Sequence, residues 1–418
     1  MSKLIGEIKL KGDKSISHRA LIFAVLANGI SKIKNLSTSV DVRNTINCLI
    51  SCRANIQLDN NGDAIVYGSM LSKPRHILDC GNSGTTIRLL MGLMAGYNIP
   101  SDFTGDESLI KRPMNRVTDK LQDMGTVFSS TKFPIKLKSG VTDADREINV
   151  DIASAQVKTA IIFAALGVNG ITKITGKIRS RDHTERMLIS LSDAIKIDQE
   201  CISVNGKDVN IKPFNFQIPG DTSSAAFIIG SAIIRKGSFV KIKNLLANRY
   251  RLGFVDVLKR MGANISIYYN ENNSEIDEPT CDIEVGYSEL VGTSIHSSEI
   301  PFLIDEIPLI SVLAAQARGE TTIEGAEELR VKESDRISNV CMNLKSIGVD
   351  VEEKESGMCI KGTRNLYNTN IYTKGDHRIA LAFMVLSSII DGGLDMDDID
   401  CAKYSFPEFL SIIKDLEK

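Results

Sequence analysis

The amino-acid sequence predicts an α/β protein of two inverted, inside-out domains, in which helices form the core and sheets lie outside. Three observations predict this fold. A polar motif recurs six times at intervals of about 70 residues, an apolar helix follows each motif, and a second, amphipathic helix follows in each repeat. A chain of 418 residues suits about two domains rather than one core. We therefore expect three repeated βαβαββ-type units in each domain and a hinge between the domains.

The recurring motif is a short polar or glycine-containing stretch that leads into an alanine-rich apolar segment. The six motifs begin at Gly12, Gly81, Ala153, Gly220, Ile304 and Gly375. The segments Ala20–Ala27 and Ala160–Gly167 are apolar on nearly every side of a helix. Such helices belong inside a packed structure rather than on its surface.

The second helix of each repeat has one apolar face. The segments Val255–Ile265 and Ile337–Val349 place apolar residues at i, i+3, i+4 and i+7, which predicts helices with one buried side. Turn residues near Lys11–Asp13 and Pro219–Asp221 mark the predicted junctions between domains. We therefore expect an N-terminal domain over 13–219 and a C-terminal domain formed by 1–12 together with 220–418.

Composition excludes several classes of function. The formal net charge of −2 argues against a nucleic-acid-binding protein, and no apolar run approaches the roughly 20 residues that span a membrane. The N-terminal segment lacks an apolar stretch of signal-peptide length, and the eight cysteines show no zinc-binding spacing. We expect a cytoplasmic protein with no metal and no cofactor, in which any anionic ligand is met by local clusters of cations.

The repeated motifs are suited to binding anions. Each motif lies where a buried helix is predicted to begin, and unpaired backbone N–H groups and the helix dipole favour negative charge there. In Gly12–Arg19, Lys14 adds charge and Ser15 a hydroxyl, although helix capping by Asp13 or Ser15 is the alternative. Further polar and cationic residues near predicted helix starts or tight turns are Asn82, Gly84, Arg88, Arg112, Arg181, Lys332, Arg336, Arg378 and Lys403. Because they occupy equivalent points of six units, we expect them to face a shared cleft.

Three carboxylates accompany these cations. Asp305 and Glu306 are at the start of the fifth buried helix, and Glu333 lies between Lys332 and Arg336. Each is a candidate for proton transfer. The alternatives are a helix N-cap for Asp305 and a surface ion pair for Glu333.

Eight stretches together resemble the 5-enolpyruvylshikimate-3-phosphate synthase family and follow its order along almost the whole chain. They begin at Gly12-Asp-Lys-Ser, Gly81-Asn-Ser-Gly, Lys111-Arg-Pro-Met, Ala153-Ser-Ala-Gln, Ser180-Arg-Asp-His, Pro219-Gly-Asp, Leu329-Arg-Val-Lys-Glu-Ser-Asp-Arg and Gly375-Asp-His-Arg. The first, second and seventh stretches are highly specific. The resemblance implies a fold of two inverted α/β domains built from six repeats.

The resemblance also implies two small-molecule substrates, phosphoenolpyruvate and shikimate 3-phosphate, and a set of residues that bind them. The residues implied for shikimate 3-phosphate are Ser15, Arg19, Ser154, Ser180 and Lys332. Those implied for phosphoenolpyruvate are Lys14, Arg112, Arg336, Arg378 and Lys403. Gln156 is expected to reach both substrates, and Asn82 and Gly84 complete the binding set, with Gly84 leaving room for phosphoenolpyruvate against the backbone.

The implied reaction is an addition followed by an elimination. Asp305 is expected beside the attacking 5-hydroxyl of shikimate 3-phosphate, Glu333 near C3 of phosphoenolpyruvate, and Lys14 as a proton carrier near the leaving phosphate. The cations alone are expected to stabilise the charge, so no metal is required. We expect a monomer, because a two-domain clamp encloses its own site.

Three departures from the family pattern bear on this interpretation. Ala155 replaces a frequent serine, Glu328 a frequent asparagine, and Lys403 lies four residues rather than three before Pro407. Gly84 retains the small residue associated with glyphosate sensitivity. Two alternatives are a UDP-N-acetylglucosamine enolpyruvyl transferase and a non-catalytic anion-binding homologue. The first is disfavoured because the segment Asp106–Pro113 contains no cysteine, and the second because Asp305 and Glu333 are both present.

Overall fold

A computed structural model describes residues 2–271 and 274–418 of the chain. The chain divides into two compact units. The N-terminal unit comprises 12–218 together with 274–278, and the C-terminal unit comprises 2–11, 219–271 and 279–418. The chain therefore passes from one unit to the other next to both of the turn segments that the sequence analysis singled out.

The N-terminal unit is built from six α-helices and three four-stranded sheets in its described residues. The helices are α1 (Lys14–Leu26), α2 (Val40–Ser51), α3 (Gly84–Gly96), α4 (Asn115–Asp123), α5 (Ala155–Leu166) and α6 (His183–Leu191). The strands are β2 (Ile30–Lys34), β3 (Asn55–Leu58), β4 (Ala64–Tyr67), β5 (Leu78–Asp79), β6 (Ser101–Thr104), β7 (Val127–Ser130), β8 (Ile135–Ser139), β9 (Arg146–Val150), β10 (Ile171–Gly176), β11 (Ile195–Ile197), β12 (Ile202–Asn205) and β13 (Asn215–Gln217). The strand orders are β13-β2-β4-β3, β5-β6-β8-β7 and β11-β12-β10-β9.

The C-terminal unit has six α-helices, two four-stranded sheets and one two-stranded sheet in its described residues. Its helices are α7 (Thr222–Ile234), α8 (Arg249–Arg260), α9 (Ile307–Ala314), α10 (Arg336–Ser346), α11 (His377–Ser387) and α12 (Phe409–Leu416). Its strands are β1 (Ile5–Lys9), β14 (Phe239–Leu246), β15 (Ile265–Tyr269), β16 (Thr280–Gly286), β17 (Ser294–Ile295), β18 (Glu320–Ile323), β19 (Asp350–Lys354), β20 (Gly357–Lys361), β21 (Asn370–Ile371) and β22 (Asp395–Met396). The strand orders are β1-β14-β16-β15, β17-β18-β20-β19 and β21-β22.

The predicted βαβαββ repeat is confirmed by the pairing of the strands. In the second repeat, β5 pairs parallel with β6, and β6, β8 and β7 then pair antiparallel. The four other four-stranded sheets follow the same rule. Strand β1 joins β14, and β13 joins β2, so each unit takes one strand from a distant part of the chain.

The sixth repeat differs from the other five. In the described residues its sheet contains only the short parallel pair β21 and β22. The segment that would supply the two further strands is helical instead, with a 3₁₀ turn at Asp400–Tyr404 followed by α12. The buried residues Phe409, Ile413 and Leu416 recur at helical spacing, which favours a helix over a hairpin here.

The first helix of each repeat is buried, as the sequence predicts. Every residue of α5 from Val157 to Leu166 is buried, including the charged Lys158. Helices α3 and α5 approach closely because α3 has glycine at the contact: a Cβ on Gly92 would lie 2.2 Å from the carbonyl oxygen of Ala160. The phenyl rings of Phe23 in α1 and Phe163 in α5 meet edge to face at 5.2 Å.

The segment 274–278 lies in the loop between β15 and β16 of the C-terminal unit but belongs to the N-terminal unit. The buried Glu278 carboxylate lies 2.7 Å from the ring Nδ1 of buried His183, and Glu275 accepts a hydrogen bond from the backbone of Asn215. Polar contacts of this kind hold residues 274–278 in the N-terminal unit. The pattern of apolar residues in the sequence does not predict such contacts.

Among the described helices, none combines the length and the apolar character needed to cross a membrane.

Candidate active site

The polar motifs lie at helix N-termini, as the sequence predicts. Asp13 caps α1 by accepting a hydrogen bond from the backbone N–H of Ile16 at 2.9 Å, which confirms the capping role considered for it. Ser83 and Ser154 cap α3 and α5 in the same way. Each of these caps satisfies one N–H group at its helix start, and the positive end of the helix dipole at such a start favours an anion.

Lys14 lies in the first turn of α1 at the surface of the N-terminal unit. Its ammonium donates a hydrogen bond to Asp41 at 2.7 Å, and about a fifth of its side chain, 19%, is exposed. The carboxylate comes from the first turn of α2. The ammonium of a partly exposed lysine is a compact charge that an incoming phosphate can attract.

Two guanidinium groups lie against Gly84 at the start of α3. A Cβ on Gly84 would lie 2.6 Å from Nη1 of Arg88 and 3.3 Å from Nη1 of Arg112. Arg112 also donates to the side-chain oxygen of Asn82, whose amide nitrogen donates to Asp106 at 2.7 Å. The absence of a side chain at position 84 therefore lets two cations approach the backbone together.

Gln156 joins this cluster from the start of α5. Its side-chain oxygen accepts a hydrogen bond from Nη1 of Arg88 at 2.7 Å, and its nitrogen donates to the hydroxyl of Thr85 at 2.9 Å. Of the predicted residues Asn82, Gly84, Arg112 and Gln156, the structure thus brings all four together around Arg88.

A second group in the N-terminal unit surrounds Arg19. This buried guanidinium donates to the hydroxyls of Thr184 at 2.7 Å and Thr159 at 2.9 Å, and to the carbonyl of Ser15 at 2.9 Å. Burial lowers the pKa of Arg19 to about 10, although Glu185 and other carboxylates oppose the shift, and the side chain stays charged at neutral pH. Ser180 is also buried, and its hydroxyl has no hydrogen-bond partner among the described residues.

In the C-terminal unit, Arg336 lies at the centre of a cluster of carboxylates. Its side chain is 2% exposed and donates to both oxygens of Asp376, at 2.8 and 3.2 Å, and to Glu333 at 2.6 Å. Asp305 lies 3.8 Å from it. Burial opposes the charged form, yet Asp376 and Glu333 outweigh it and raise the pKa of Arg336. In turn, Arg336 lowers the pKa of Asp376 despite burial.

Asp305 lies between two guanidinium groups. One of its oxygens is 3.8 Å from Arg336 and the other is 3.9 Å from Arg378. Arg378 also donates to the backbone carbonyl of Asp305 and to the buried carboxylate of Glu306, at 3.1 and 3.3 Å. Asp305 belongs to a 3₁₀ turn before α9 and is not the N-cap residue of that helix, which is Glu306.

Lys332 lies on the turn that precedes α10. Burial lowers its pKa, and the positive charge of Arg336 acts in the same direction, whereas Asp305, Glu333 and Glu328 oppose the shift. Glu328, which stands where the family often has asparagine, is thus one of three carboxylates that favour the charged form of Lys332.

Lys403 is more exposed than the arginines of this cluster. Its ammonium pairs with Asp400 at 2.6 Å, three residues earlier in the same 3₁₀ turn, and 65% of its side chain is exposed. Its predicted companions Arg336 and Arg378 are both largely buried. The structure thus brings together Asp305, Lys332, Glu333, Arg336 and Arg378 but leaves Lys403 at the surface.

Several site residues escaped the sequence analysis as functional candidates. Asp376 and Lys158 are buried and charged, and Arg88, although named among the cations, was given no ligand role. A signal existed for Asp376 and Lys158, because each is a charged residue within or directly before a buried helix. Their partners come from distant parts of the chain, so the pairing itself is not visible in the sequence.

The arrangement defines an anion-binding enzyme whose carboxylates lie among guanidinium groups. In the described residues, no group of three or more histidine, cysteine, aspartate or glutamate side chains is arranged to hold a metal. Comparison with solved structures places the fold among the enolpyruvyl transferases. An enolpyruvyl transferase from Streptomyces tendae matches with a TM-score of 0.78 over 100% of this chain and 96% of its own, at 14% identity, which establishes the fold alone.

The particular family follows from closer relatives. An EPSP synthase structure from Acinetobacter baumannii matches with a TM-score of 0.87 at 33% identity, over 100% of this chain and 96% of its own. Curated 3-phosphoshikimate 1-carboxyvinyltransferases from Desulforamulus reducens and Petrotoga mobilis are 40% and 42% identical over 100% and 98% of this chain, and 98% and 96% of their own lengths. Residues 1–413 match the family described as EPSP synthase (3-phosphoshikimate 1-carboxyvinyltransferase). The chain belongs to the EPSP synthase family.

Proposed function

We propose that this enzyme transfers the enolpyruvyl group of phosphoenolpyruvate to the 5-hydroxyl of shikimate 3-phosphate and releases inorganic phosphate, a step of aromatic amino acid biosynthesis. The observation that carries the proposal is the position of Asp305 and Glu333 around one buried guanidinium, that of Arg336. Membership of the EPSP synthase family over nearly the whole chain supports the same reaction. The alternatives of another acceptor sugar and of a silent binding protein have no observation in their favour.

The cations of the two units provide the binding groups for this reaction. In the N-terminal unit, Lys14, Asn82, Gly84, Arg112 and Gln156 bind phosphoenolpyruvate, and Ser15, Arg19, Ser154, Gln156 and Ser180 bind shikimate 3-phosphate. In the C-terminal unit, Arg336, Arg378 and Lys403 bind phosphoenolpyruvate, and Lys332 binds shikimate 3-phosphate. Each charge-assisted hydrogen bond contributes roughly 1.5–3 kcal/mol, and arginine binds carboxylate or phosphate through two parallel bonds.

The two carboxylates transfer the protons. Asp305 accepts the proton of the 5-hydroxyl as the hydroxyl oxygen forms a bond to C2 of phosphoenolpyruvate, and Glu333, in its protonated form, donates a proton to C3. The resulting tetrahedral intermediate loses phosphate as the bond between C2 and the phosphate oxygen breaks, and C3 returns one proton to Glu333. Lys14 donates a proton to the leaving phosphate, and the proton held by Asp305 restores the Lys14 ammonium through solvent. The guanidinium groups beside both carboxylates stabilise the charge that develops during these steps.

The experiment that tests this proposal is release of phosphate by the purified protein, with each substrate omitted in turn. Release is expected only when phosphoenolpyruvate and shikimate 3-phosphate are both present. Release with phosphoenolpyruvate and UDP-N-acetylglucosamine instead would contradict the choice of acceptor. The division into domains at 13–219 and 1–12 with 220–418, the cytoplasmic location and the monomeric state remain predictions from the sequence.

A further inference from the structure

Lys158 is a buried lysine in α5, four residues after the helix cap Ser154. Its ammonium lies 2.5 Å from the Glu185 carboxylate and donates hydrogen bonds to the backbone carbonyls of Ile178 and Ser180 at 2.9 and 3.3 Å. An ammonium has three donors, and these three acceptors match them. The turn from Ile178 to Ser180 is therefore held around one charged group.

The pair of Lys158 and Glu185 is removed from water. The two side chains are 2% and 3% exposed, and burial raises the pKa of Glu185 while Lys158 opposes the shift. A buried ion pair is often no more stabilising than well-packed apolar residues of the same size. A gain in folding stability thus does not explain the presence of this pair well. The hydrogen bonds from Lys158 to two carbonyls of one turn instead indicate that the pair fixes the conformation of that turn.

The turn that Lys158 holds contains Ser180. The Ser180 hydroxyl is buried and has no hydrogen-bond partner among the described residues. An unpaired buried hydroxyl has a cost in free energy, and binding of a ligand would remove that cost. The carbonyl of the same residue is fixed by Lys158, so the position of this hydroxyl depends on the buried pair.

Hydrogen bonds next to this ion pair connect it to Arg19. Thr159 and Thr184 are next to Lys158 and Glu185 in sequence, and their hydroxyls lie 2.6 Å apart. Arg19 donates to both of these hydroxyls. One junction of α1, α5 and α6 thus positions Arg19 directly and Ser180 through Lys158.

We propose that Lys158 and Glu185 are positioning residues that set the affinity for shikimate 3-phosphate by fixing the turn Ile178–Ser180, without touching the substrate themselves. The inference rests on the proposed function, because it takes Ser180 and Arg19 as ligands of that substrate. It adds a residue pair whose effect is confined to one of the two substrates.

The test compares three variants of the full chain. Lys158→Met combined with Glu185→Gln removes both charges of the pair together, and Lys158→Arg retains the charge but displaces its donors. The matched control is Arg235→Met combined with Glu417→Gln, which removes an ion pair of 2.8 Å in the C-terminal unit. For each variant, the measurements are binding of shikimate 3-phosphate by calorimetry, the KM of each substrate, kcat and Tm.

The double variant of the buried pair is expected to bind shikimate 3-phosphate about tenfold more weakly, and its KM to rise in parallel. The KM for phosphoenolpyruvate and kcat are expected to change less than twofold. The control pair should lower Tm without changing either KM. Unchanged affinity for shikimate 3-phosphate, or an equal rise in both KM values, would overturn the inference.

Two further outcomes keep the test decisive. If the double variant does not fold, Lys158→Arg tests the inference instead. This variant is expected to fold and to raise the KM for shikimate 3-phosphate several-fold. An unchanged KM would overturn the inference. If the wild-type protein binds no shikimate 3-phosphate, the proposed function and the inference are both overturned. Wild-type turnover together with unaltered binding in the variants overturns the inference alone.

Discussion

The two units meet the same problem, the binding of anions, with different chemistry. Around Gly84 in the N-terminal unit, two guanidinium groups donate to amide side chains: Arg88 to Gln156, and Arg112 to Asn82. In the C-terminal unit, Arg336 is surrounded by the carboxylates of Asp305, Glu333 and Asp376. Guanidinium and amide groups can bind an anion, whereas guanidinium groups interleaved with carboxylates can also move protons.

The comparison assigns substrate binding and proton transfer to different clusters. The N-terminal cluster is expected to govern affinity, and the C-terminal cluster is expected to govern turnover. A variant that weakens substrate binding raises KM, whereas a variant that removes an interaction made only in the transition state lowers kcat. The assignment is therefore contradicted by an N-terminal variant that lowers only kcat, or by a C-terminal variant that raises only KM.

The largest expected effect is loss of turnover on neutralising the C-terminal carboxylates. Asp305→Asn or Glu333→Gln should lower kcat by about 10²–10⁴-fold, because general acid–base catalysis contributes on that scale. Both variants should fold, since Arg336 keeps its two bonds to Asp376. Phosphate release measures the loss, and Glu299→Gln, which removes a carboxylate paired with Arg260, is the control. A rise in KM with kcat unchanged would assign these residues to binding instead.

A smaller effect is expected on adding a methyl group in the N-terminal cluster. In Gly84→Ala, the new Cβ would lie 2.6 Å from Nη1 of Arg88, so the guanidinium must shift from Gln156. We expect the KM for phosphoenolpyruvate to rise about tenfold, with kcat less affected.

The matched control for that variant is Thr85→Ser, which keeps the hydroxyl that Gln156 contacts. It should leave both KM values unchanged. A fall in kcat without a change in KM for Gly84→Ala would contradict a binding role for this cluster.

The pH dependence tests Lys332. Burial lowers its pKa below the ordinary value of 10.5, so its ammonium is lost at a lower pH than that of an exposed lysine. The value of kcat/KM for shikimate 3-phosphate should therefore fall as pH rises through this lowered pKa. Lys332→Arg should move this alkaline fall to higher pH, since arginine stays protonated. The exposed Lys345→Arg is the control, and an identical alkaline fall in the Lys332 variant would exclude Lys332 as its origin.

The smallest effect is expected at Lys403. Because this side chain is exposed and pairs only with Asp400 among the described residues, Lys403→Met should not lower Tm. We expect a rise of a few-fold at most in the KM for phosphoenolpyruvate. Lys414→Met in α12 is the matched surface control. An unchanged KM would remove Lys403 from the proposed binding set.

Much of the fold was predictable because it rests on local patterns. The six motifs, the buried helices α1 and α5 and the alternation of helices with strands all follow from apolar periodicity and turn residues. The helical end of the sixth repeat and the position of 274–278 were not predicted, since the first breaks the repeat and the second depends on contacts such as Glu278 with His183.

The site was predictable in its residues but not in its pairing. The resemblance to the family named Asp305, Glu333 and Arg336, yet the buried partner Asp376 was absent from the prediction. A charged residue within an apolar helix, such as Lys158, indicates a buried ion pair, and the sequence analysis made no use of this pattern. Which charges meet is decided by tertiary packing, and one sequence alone contains no record of it.

The central claim is that the C-terminal carboxylates move the protons of the enolpyruvyl transfer. The most direct measurement is turnover in D₂O, with deuterium at C3 of the enolpyruvyl product followed by NMR. Wild-type protein is expected to introduce deuterium at C3 only when both substrates are present, and Glu333→Gln to introduce almost none while binding shikimate 3-phosphate normally. Deuterium incorporation by Glu333→Gln at the wild-type rate would contradict the account.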